Sequence, residues 1–268
     1  MSDSVYPPWV VLHIPHDSTR VPQEVRKQFL LSDEELTTEI QLMTDHFTHA
    51  LFAQRLGEAA VVRAPVSRLV VDVERFADDS QEPMAKIGMG AIYHVTSQLD
   101  PLRRNLDPRE RDALMREWYF PHHELLENSV DNAIKKYGRC VVVDCHSFPG
   151  IALPYENKDS SNRRPDICIG TDSFHTPVVL AQAFLDAFGR NGWRVALNDP
   201  FAGALVPSSR YQSDSRVTAV MVEINRDLYL DPTSYHHNSE FNLVASLISS
   251  SCISALEESN RWGNPSRC

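Results

Sequence analysis

The sequence predicts an α/β fold: a single domain whose mostly parallel or mixed twisted sheet carries helices on both faces. Short apolar runs rich in β-branched residues alternate along the chain with longer segments of helical spacing, which is the order typical of α/β proteins. The run 140–143 consists of one cysteine and three valines, a pattern typical of a strand buried on both faces. The 268 residues contain no internal repeat or clear linker, so we expect one catalytic domain over residues 1–268.

Seven segments are predicted to form strands because they are short, apolar and rich in β-branched residues. In chain order they cover 9–14, 59–65, 66–75, 139–147, 166–171, 193–197 and 217–226. The segment 66–75 alternates polar and apolar side chains, which puts Arg68 and Asp72 on one face. That face therefore requires either solvent or an ion pair.

Helices are predicted between these strands from apolar spacing and capping signals. Ser32 is a favoured cap and precedes three acidic residues. A long helical segment over 108–136 is interrupted near Pro121, and His123 beside it could line a cleft. The predicted helices cover 23–29, a segment after Ser32, a segment starting near Thr44 and Asp45, 108–136, 177–190 and 241–256.

The composition restricts the partners and the compartment. The formal net charge of −10 argues against a nucleic-acid backbone or an anionic membrane as the main partner. A small anionic substrate remains compatible with this charge, because arginines can set the field inside a cleft. The five cysteines lack the spacing of a disulfide scaffold, the first residues do not resemble a secretion signal, and no apolar run reaches membrane-spanning length. We therefore expect a cytoplasmic protein.

Polar side chains stand at the predicted strand ends, where ligands bind in open α/β sheets. They are His16, Asp144, His146, Ser147, Asn198 and Glu223, and Asp45 lies near a helix start. Each also has a simpler structural interpretation. His146 could be a hydrogen-bonded core histidine, and Thr44 or Asp45 could be a helix cap. The residues alone leave these alternatives open.

Two imidazoles and one carboxylate suffice to bind a catalytic zinc ion and leave a fourth position for water. His16, Asp45 and His146 offer such a set, and Glu223 offers a separate carboxylate that can move a proton from water to a leaving amine. Asp144 could orient an imidazole or take part in a structural hydrogen bond. Spacing does not establish this assignment, because the chain has neither a His-Glu-x-x-His motif nor a compact Cys/His cluster. Gly-x-Ser-x-Gly, phosphate-binding and dinucleotide-binding motifs are also absent.

A series of short segments, in order from the first strand to about residue 231, resembles the N-formylglutamate amidohydrolase family. The matching segments are 14–16, 44–45, 66–72 with Arg75, 90–93, 119–123, 143–149, 164–167, 198–203 and 223–230. Each segment is short, but the ordered set is specific. The resemblance implies a phosphorylase/hydrolase-like α/β fold related to that of zinc carboxypeptidases. It also implies hydrolysis of N-formyl-L-glutamate to L-glutamate and formate, in histidine degradation, as the type reaction.

The resemblance further implies roles for individual residues. His16, Asp45 and His146 correspond to the ligands of one divalent metal ion, with zinc the leading candidate, and Glu223 corresponds to the catalytic base. His13 is a rival for the first ligand, although it occupies a position where family members need no histidine.

The expected substrate is a small anionic N-acyl amino acid, and arginine suits its carboxylates because the guanidinium donates two parallel hydrogen bonds. The candidates are Arg68, Arg75 and Arg226, with Asn198 as a further substrate contact. Arg68 could instead pair with Asp72, and Asn198 could cap its own turn.

The chain departs from the family pattern in loops expected to frame the substrate. Asp17-Ser18 stands where a glycine is common, Glu74 stands where an asparagine usually precedes Arg75, and Ala204 follows Gly203 in place of a second glycine. These departures leave the acyl group and the amino acid open. The alternative functions are hydrolysis of another N-acyl amino acid, a carboxypeptidase-like peptidase, and a binding protein that kept the fold without the chemistry. The His, Asp, His and Glu set favours an enzyme.

Overall fold

The sheet at the centre of the molecule has six strands, seen in a computed structural model that describes residues 4–156 and 164–262. They are β1 (Val10–Ile14), β2 (Ala60–Arg63), β3 (Cys140–Phe148), β4 (Ile167–Gly170), β5 (Val195–Leu197) and β6 (Val217–Asn225). The order across the sheet is β2-β1-β3-β6-β4-β5. All neighbouring strands are parallel except β4 and β6, which are antiparallel. The predicted α/β fold with a mixed sheet is confirmed.

The described ranges contain seven α-helices. They are α1 (Gln23–Arg26), α2 (Asp33–Met43), α3 (Thr48–Phe52), α4 (Pro108–Leu114), α5 (Phe120–Tyr137), α6 (Val178–Gly189) and α7 (Phe241–Trp262). Short 3-10 turns cover Ala53–Arg55, Pro83–Ile87 and Arg226–Leu228.

Successive residues of the central strands face opposite layers of helices. Val142 packs in a cluster with Leu126 and Val130 of α5. Val143 and Cys145 pack in a second cluster that contains α6 and α7. Because both faces of β3 are covered, apolar side chains are favourable at every position before the strand reaches its polar end. Helices on both faces of the sheet are confirmed.

The predicted strand over 66–75 is wrong, because this segment forms successive turns. Ser67 Oγ accepts a hydrogen bond from Leu69 N at 3.2 Å, and Asp72 Oδ1 accepts one from Glu74 N at 3.0 Å. Side chains that bond to the nearby backbone in this way offer it an alternative to a sheet ladder. The other six predicted strands are present with small shifts at their ends.

The helix predicted over 108–136 is present and is divided close to the predicted interruption. A π-helical turn over Met115–Tyr119 separates α4 from α5. Pro121 has no backbone N–H to donate to the preceding turn, which is consistent with the wider turn just before it. The first turn of α5 carries His122, whose Nε2 lies 2.8 Å from Nε2 of His13 in β1.

Asp45 lies in the short connection between α2 and α3. The predicted cap Ser32 begins α2 with a reciprocal capping box that includes Glu35. Thr44 ends α2 with extended backbone, and Asp45 N then donates to His16 O at 2.9 Å. The Asp45 carboxylate contacts β3 instead of capping α3.

Four of the five cysteines, Cys140, Cys145, Cys168 and Cys252, are buried free thiols, and Cys268 lies outside the described residues. None of the described helices is both long enough and apolar enough to cross a membrane.

Candidate active site

The polar residues predicted at the ends of β1, β3 and β6 meet in one buried cluster. His146 and Glu223 lie directly opposite each other in the parallel pair of β3 and β6. His16 follows the end of β1, and its carbonyl oxygen holds the backbone of Asp45. All four residues are buried. The fold thus brings together residues that are scattered over most of the sequence.

His16, Asp45 and His146 form what we call the first donor set. Asp45 Oδ2 lies 3.0 Å from His146 Nδ1 and 3.7 Å from His16 Nδ1. One ligand atom from each residue lies within 4.8 Å of the others. A single cation can therefore be reached by all three side chains after small movements.

The outer nitrogen of each imidazole in this set has a carboxylate partner. His16 Nε2 donates to Asp72 Oδ1 at 2.8 Å. His146 Nε2 lies 3.2 Å from Asp144 Oδ1 and 3.1 Å from Glu74 Oε1. Metal-binding histidines are commonly oriented by such carboxylates, which also make the imidazole a better ligand.

The inner nitrogen of His16 shows that the donor set fits a metal ion. His16 Nδ1 is buried without a hydrogen-bond partner, although a buried polar atom is normally paired. Burial lowers the pKa of His16 and of His146, but the surrounding carboxylates outweigh it and raise both pKa values. The cluster therefore attracts positive charge, and two imidazoles with a carboxylate are donors that zinc favours.

Arg226 holds the third ligand of the set. It donates to Asp45 Oδ1 at 2.9 Å, to Leu42 O at 2.7 Å, and to Ser147 Oγ and O at 3.2 and 3.1 Å. Burial alone would raise the pKa of Asp45, but the hydrogen bond from His146 and the electrostatic attraction of His16 and Arg226 hold it well below its usual value. Asp45 is thus kept ionised and fixed in place.

Glu223 is the second buried group of the cluster with an unpaired atom. Its Oε2 has no hydrogen-bond partner. Burial raises the pKa of Glu223 to about 8, and the nearby His146 opposes this effect. A carboxyl group whose pKa lies near neutrality is suited to accept a proton and return it.

Arg68 and Arg75 both converge on Asp72, but they differ in access. Arg68 donates to Asp72 Oδ2 at 2.9 Å, so the alternative ion pair considered from the sequence is present. Arg75 Nε lies 3.6 Å from the same oxygen and its side chain is 23% exposed, against 12% for Arg68. The Nε atom of each arginine is buried without a hydrogen-bond partner. Arg75 is therefore the more accessible of the two guanidinium groups.

A cavity of about 750 Å³ reaches the cluster from the solvent side. Glu74, Arg75 and Asp144 line it, together with His123 of α5 and Leu205. Its size is that of a small-ligand site. The first donor set and Glu223 do not line the cavity, but Glu74 and Asp144 do, and both contact His146 Nε2.

Asn198 is the predicted site residue that the structure does not bring to this cluster. It is exposed after β5, where its Oδ1 accepts from Thr171 N and its Nδ2 donates to Thr171 Oγ1, both at 2.8 Å. These are the contacts of the turn-capping alternative. Its role as a substrate contact stays a prediction.

Four residues whose roles were open or unrecognised have defined contacts in the structure. Asp144 Oδ1 accepts from His13 Nδ1 at 2.8 Å in addition to its contact with His146, so His13 belongs to the neighbouring polar network and lies outside the first donor set. Asp72 and Glu74 were not expected to contact the histidines. Two sequence features had drawn attention to them: Asp72 needed solvent or an ion pair, and Glu74 stands where an asparagine usually precedes Arg75. Neither feature pointed to a particular histidine.

Comparisons with known proteins bear on the family and on the fold. A family model described as N-formylglutamate amidohydrolase matches residues 9–230. A search of curated proteins gave no match. Among solved structures, the chain is similar to an N-formylglutamate amidohydrolase from Ralstonia eutropha JMP134, with a TM-score of 0.78 and 20% identity over 97% of this chain and 96% of that chain. It is also similar to a gene product of Agrobacterium tumefaciens, with a TM-score of 0.65 and 22% identity over 93% of this chain and 92% of that chain.

The two structural similarities support the fold, and the family model identifies the family. The matched residues 9–230 contain the first donor set, Glu223 and the residues that hold them. The chain belongs to the N-formylglutamate amidohydrolase family.

Proposed function

We propose that this protein is a metal-dependent amidohydrolase that cleaves N-formyl-L-glutamate to L-glutamate and formate. The observation that carries the proposal is the pair of unpartnered buried atoms, His16 Nδ1 and Glu223 Oε2, within one polar cluster. An open ligand atom beside a separate carboxylate is what metal-assisted amide hydrolysis requires. Family membership supports the reaction class.

His16, Asp45 and His146 would hold one divalent ion, for which zinc is the leading candidate. When bound, such an ion supplies Lewis acidity toward the acyl carbonyl and the attacking water. Asp72 and Asp144 keep the two imidazole rings oriented, and they do so before any ligand arrives.

Glu223 would carry out the proton transfer. In hydrolysis, water oxygen bonds to the acyl carbon, the carbon–nitrogen bond breaks, and a proton from water is delivered to the leaving nitrogen. Glu223 accepts that proton at a carboxylate oxygen and passes it to the nitrogen, a contribution of about 10²- to 10⁴-fold in rate. Its burial excludes competing water and raises its pKa to about 8, close to neutral pH.

Arg75 is the leading candidate for a carboxylate of the substrate, because it lines the cavity and keeps an unpaired Nε atom. Arg68 lies deeper and donates to Asp72. We therefore assign it first to holding that carboxylate and second to binding the substrate. We assign Arg226 to the positioning of Asp45, since each of its three guanidinium nitrogens already donates to a protein group.

The test is glutamate release from N-formyl-L-glutamate by purified protein, with and without a chelator. We expect the chelator to abolish release and added zinc to restore it. Glu223→Gln should lower kcat by about 10²- to 10⁴-fold while it keeps bound metal. Glu124→Gln, which changes an exposed glutamate of α5, is the matched control. A chelator-resistant protein with a fully active Glu223→Gln variant would refute the mechanism.

A substrate panel separates the acyl-group alternatives. Formyl-, acetyl- and succinyl-amino acids and a short peptide should be compared under the same metal loading. We expect the highest kcat/KM for an N-formyl amino acid that bears a side-chain carboxylate. Release of C-terminal residues from the peptide would indicate a peptidase, and metal-loaded protein inactive on the whole panel would indicate a binding protein.

A further inference from the structure

A second group of possible ligands lies on the other side of the His146 ring. It consists of His13, Glu74 and Asp144, which we call the second donor set. One ligand atom from each residue lies within 4.8 Å of the others. His13 is fully buried and Asp144 is 1% exposed, so this is an interior group of polar atoms rather than a cluster of solvated surface acids.

The distances within the second donor set suit a divalent cation. His13 Nδ1 lies 2.8 Å from Asp144 Oδ1 and 3.8 Å from Glu74 Oε1. The same two oxygens lie 3.2 and 3.1 Å from His146 Nε2. Zinc bonds of roughly 2.0–2.2 Å in a tetrahedron place neighbouring ligand atoms about 3.4 Å apart. The observed distances lie on both sides of this value, so small movements would let all three side chains reach one cation.

The outer nitrogen of His13 has the kind of partner expected for a metal-binding imidazole. His13 Nε2 and His122 Nε2 are joined by a hydrogen bond of 2.8 Å. Without a metal ion, His13 Nδ1 donates to Asp144 Oδ1. When His13 Nε2 instead donates to His122, Nδ1 carries the lone pair that a metal ion can bind. His122 Nδ1 itself is buried without a partner, so His122 can adopt this tautomer without losing another bond.

The cavity gives the second donor set a route to solvent. Glu74 and Asp144 line the cavity, whereas no member of the first donor set does. From these distances and this access we propose that His13, Glu74 and Asp144 bind a second divalent cation, of the zinc class, beside the first donor set.

A cation at this position would change how the cavity receives an anion. Glu74 and Asp144 line the same cavity as Arg75, and their carboxylates oppose the entry of the carboxylates of N-formyl-L-glutamate. A divalent ion between them removes this repulsion. This consequence rests on the proposed function, but the cation site itself does not.

The experiment is a count of bound metal on the full chain. Protein is saturated with zinc, separated from excess by gel filtration and measured by emission spectroscopy. We expect about two zinc ions per chain for the unsubstituted protein and about one for Glu74→Gln and for His13→Gln. Asp78→Asn is the matched control: it changes another acid that lines the cavity but lies outside both donor sets, and it should keep two ions.

Saturation at one ion per chain in the unsubstituted protein would overturn the proposal, as would retention of both ions by Glu74→Gln. His13 is fully buried, so circular dichroism should first verify that its variant folds. If it does not fold, Glu74→Gln decides the matter, because the Glu74 side chain is 15% exposed. Two ions in an inactive protein would refute the proposed function alone, and one ion in an active protein would refute this inference alone.

Discussion

The two halves of the sheet differ in what stands at the carboxyl ends of their strands. β1, β3 and β6 are parallel and bring His16, His146 and Glu223 into one buried cluster. β4 runs antiparallel to β6 and β5 is parallel to β4, so the chain that leaves β5 runs away from the carboxyl ends of β1, β3 and β6. Asn198, just after β5, is exposed and caps a turn with Thr171. Polar residues at strand ends therefore converge only where the strands share a direction.

The buried cluster and the surroundings of Asn198 also differ in the free energy that their charged groups cost. In the buried cluster, Asp45 and Asp72 are each held by histidine and arginine side chains. A buried carboxylate without such partners would be strongly unfavourable, so each ionic group there depends on its neighbours. Around Asn198, water can replace a lost hydrogen bond. Substitutions should therefore lower the free energy of unfolding strongly in the buried cluster and only slightly around Asn198.

The largest expected difference is between Asp45→Asn and Asn198→Ala. Asp45→Asn leaves the buried Arg226 without its carboxylate and should lower the free energy of unfolding by about 3–5 kcal/mol, with loss of metal from the first donor set. Asn198→Ala removes exposed hydrogen bonds and should cost about 0.5–1.5 kcal/mol. Urea unfolding with metal analysis measures both. Equal losses in the free energy of unfolding would contradict the contrast between the buried cluster and the surroundings of Asn198. A large fall in kcat for folded Asn198→Ala would show that Asn198 acts on the substrate.

A smaller effect is expected from Asp72→Asn, which removes the carboxylate that orients His16. The affinity for the first metal ion should fall by about 10- to 100-fold, because the outer carboxylate fixes the imidazole and strengthens it as a ligand. A competition titration with a chromophoric chelator measures this affinity. Asp78→Asn, an exposed aspartate of the same loop region, is the control and should bind metal normally. Unchanged affinity in Asp72→Asn would mean that packing alone orients His16.

The smallest expected effect concerns substrate affinity. Arg75→Lys keeps the positive charge but loses the fork that binds a carboxylate through two hydrogen bonds. We expect KM for N-formyl-L-glutamate to rise about tenfold, with kcat within about threefold and bound metal unchanged. Arg109→Lys in α4, an exposed arginine, is the control. A fall in kcat with KM unchanged would place Arg75 at the reacting atoms instead of at the carboxylate.

The sequence by itself determined the elements whose signals are local. The valine run of β3, the Ser32 cap of α2 and the interruption before Pro121 follow from burial, capping and the missing proline N–H, which depend on near neighbours. The resemblance of the ordered segments indicated the family, and the family model confirmed it. The strand predicted over 66–75 failed because Ser67 and Asp72 bond to their own turns, an outcome that alternation of side chains does not reveal.

Only the tertiary structure decided which polar groups share a site. Asp72 reaches His16 across 56 residues of sequence, and Asp144 reaches His13 across 131, so no spacing rule connects them. The direction of β4 is likewise a property of the sheet as a whole, and it separated Asn198 from the cluster. Hydrophobic pattern and capping are encoded along the chain because they act over a few residues. The pairing of buried charges is settled only when the fold removes water and leaves each charge with the partners that the packed sheet brings to it.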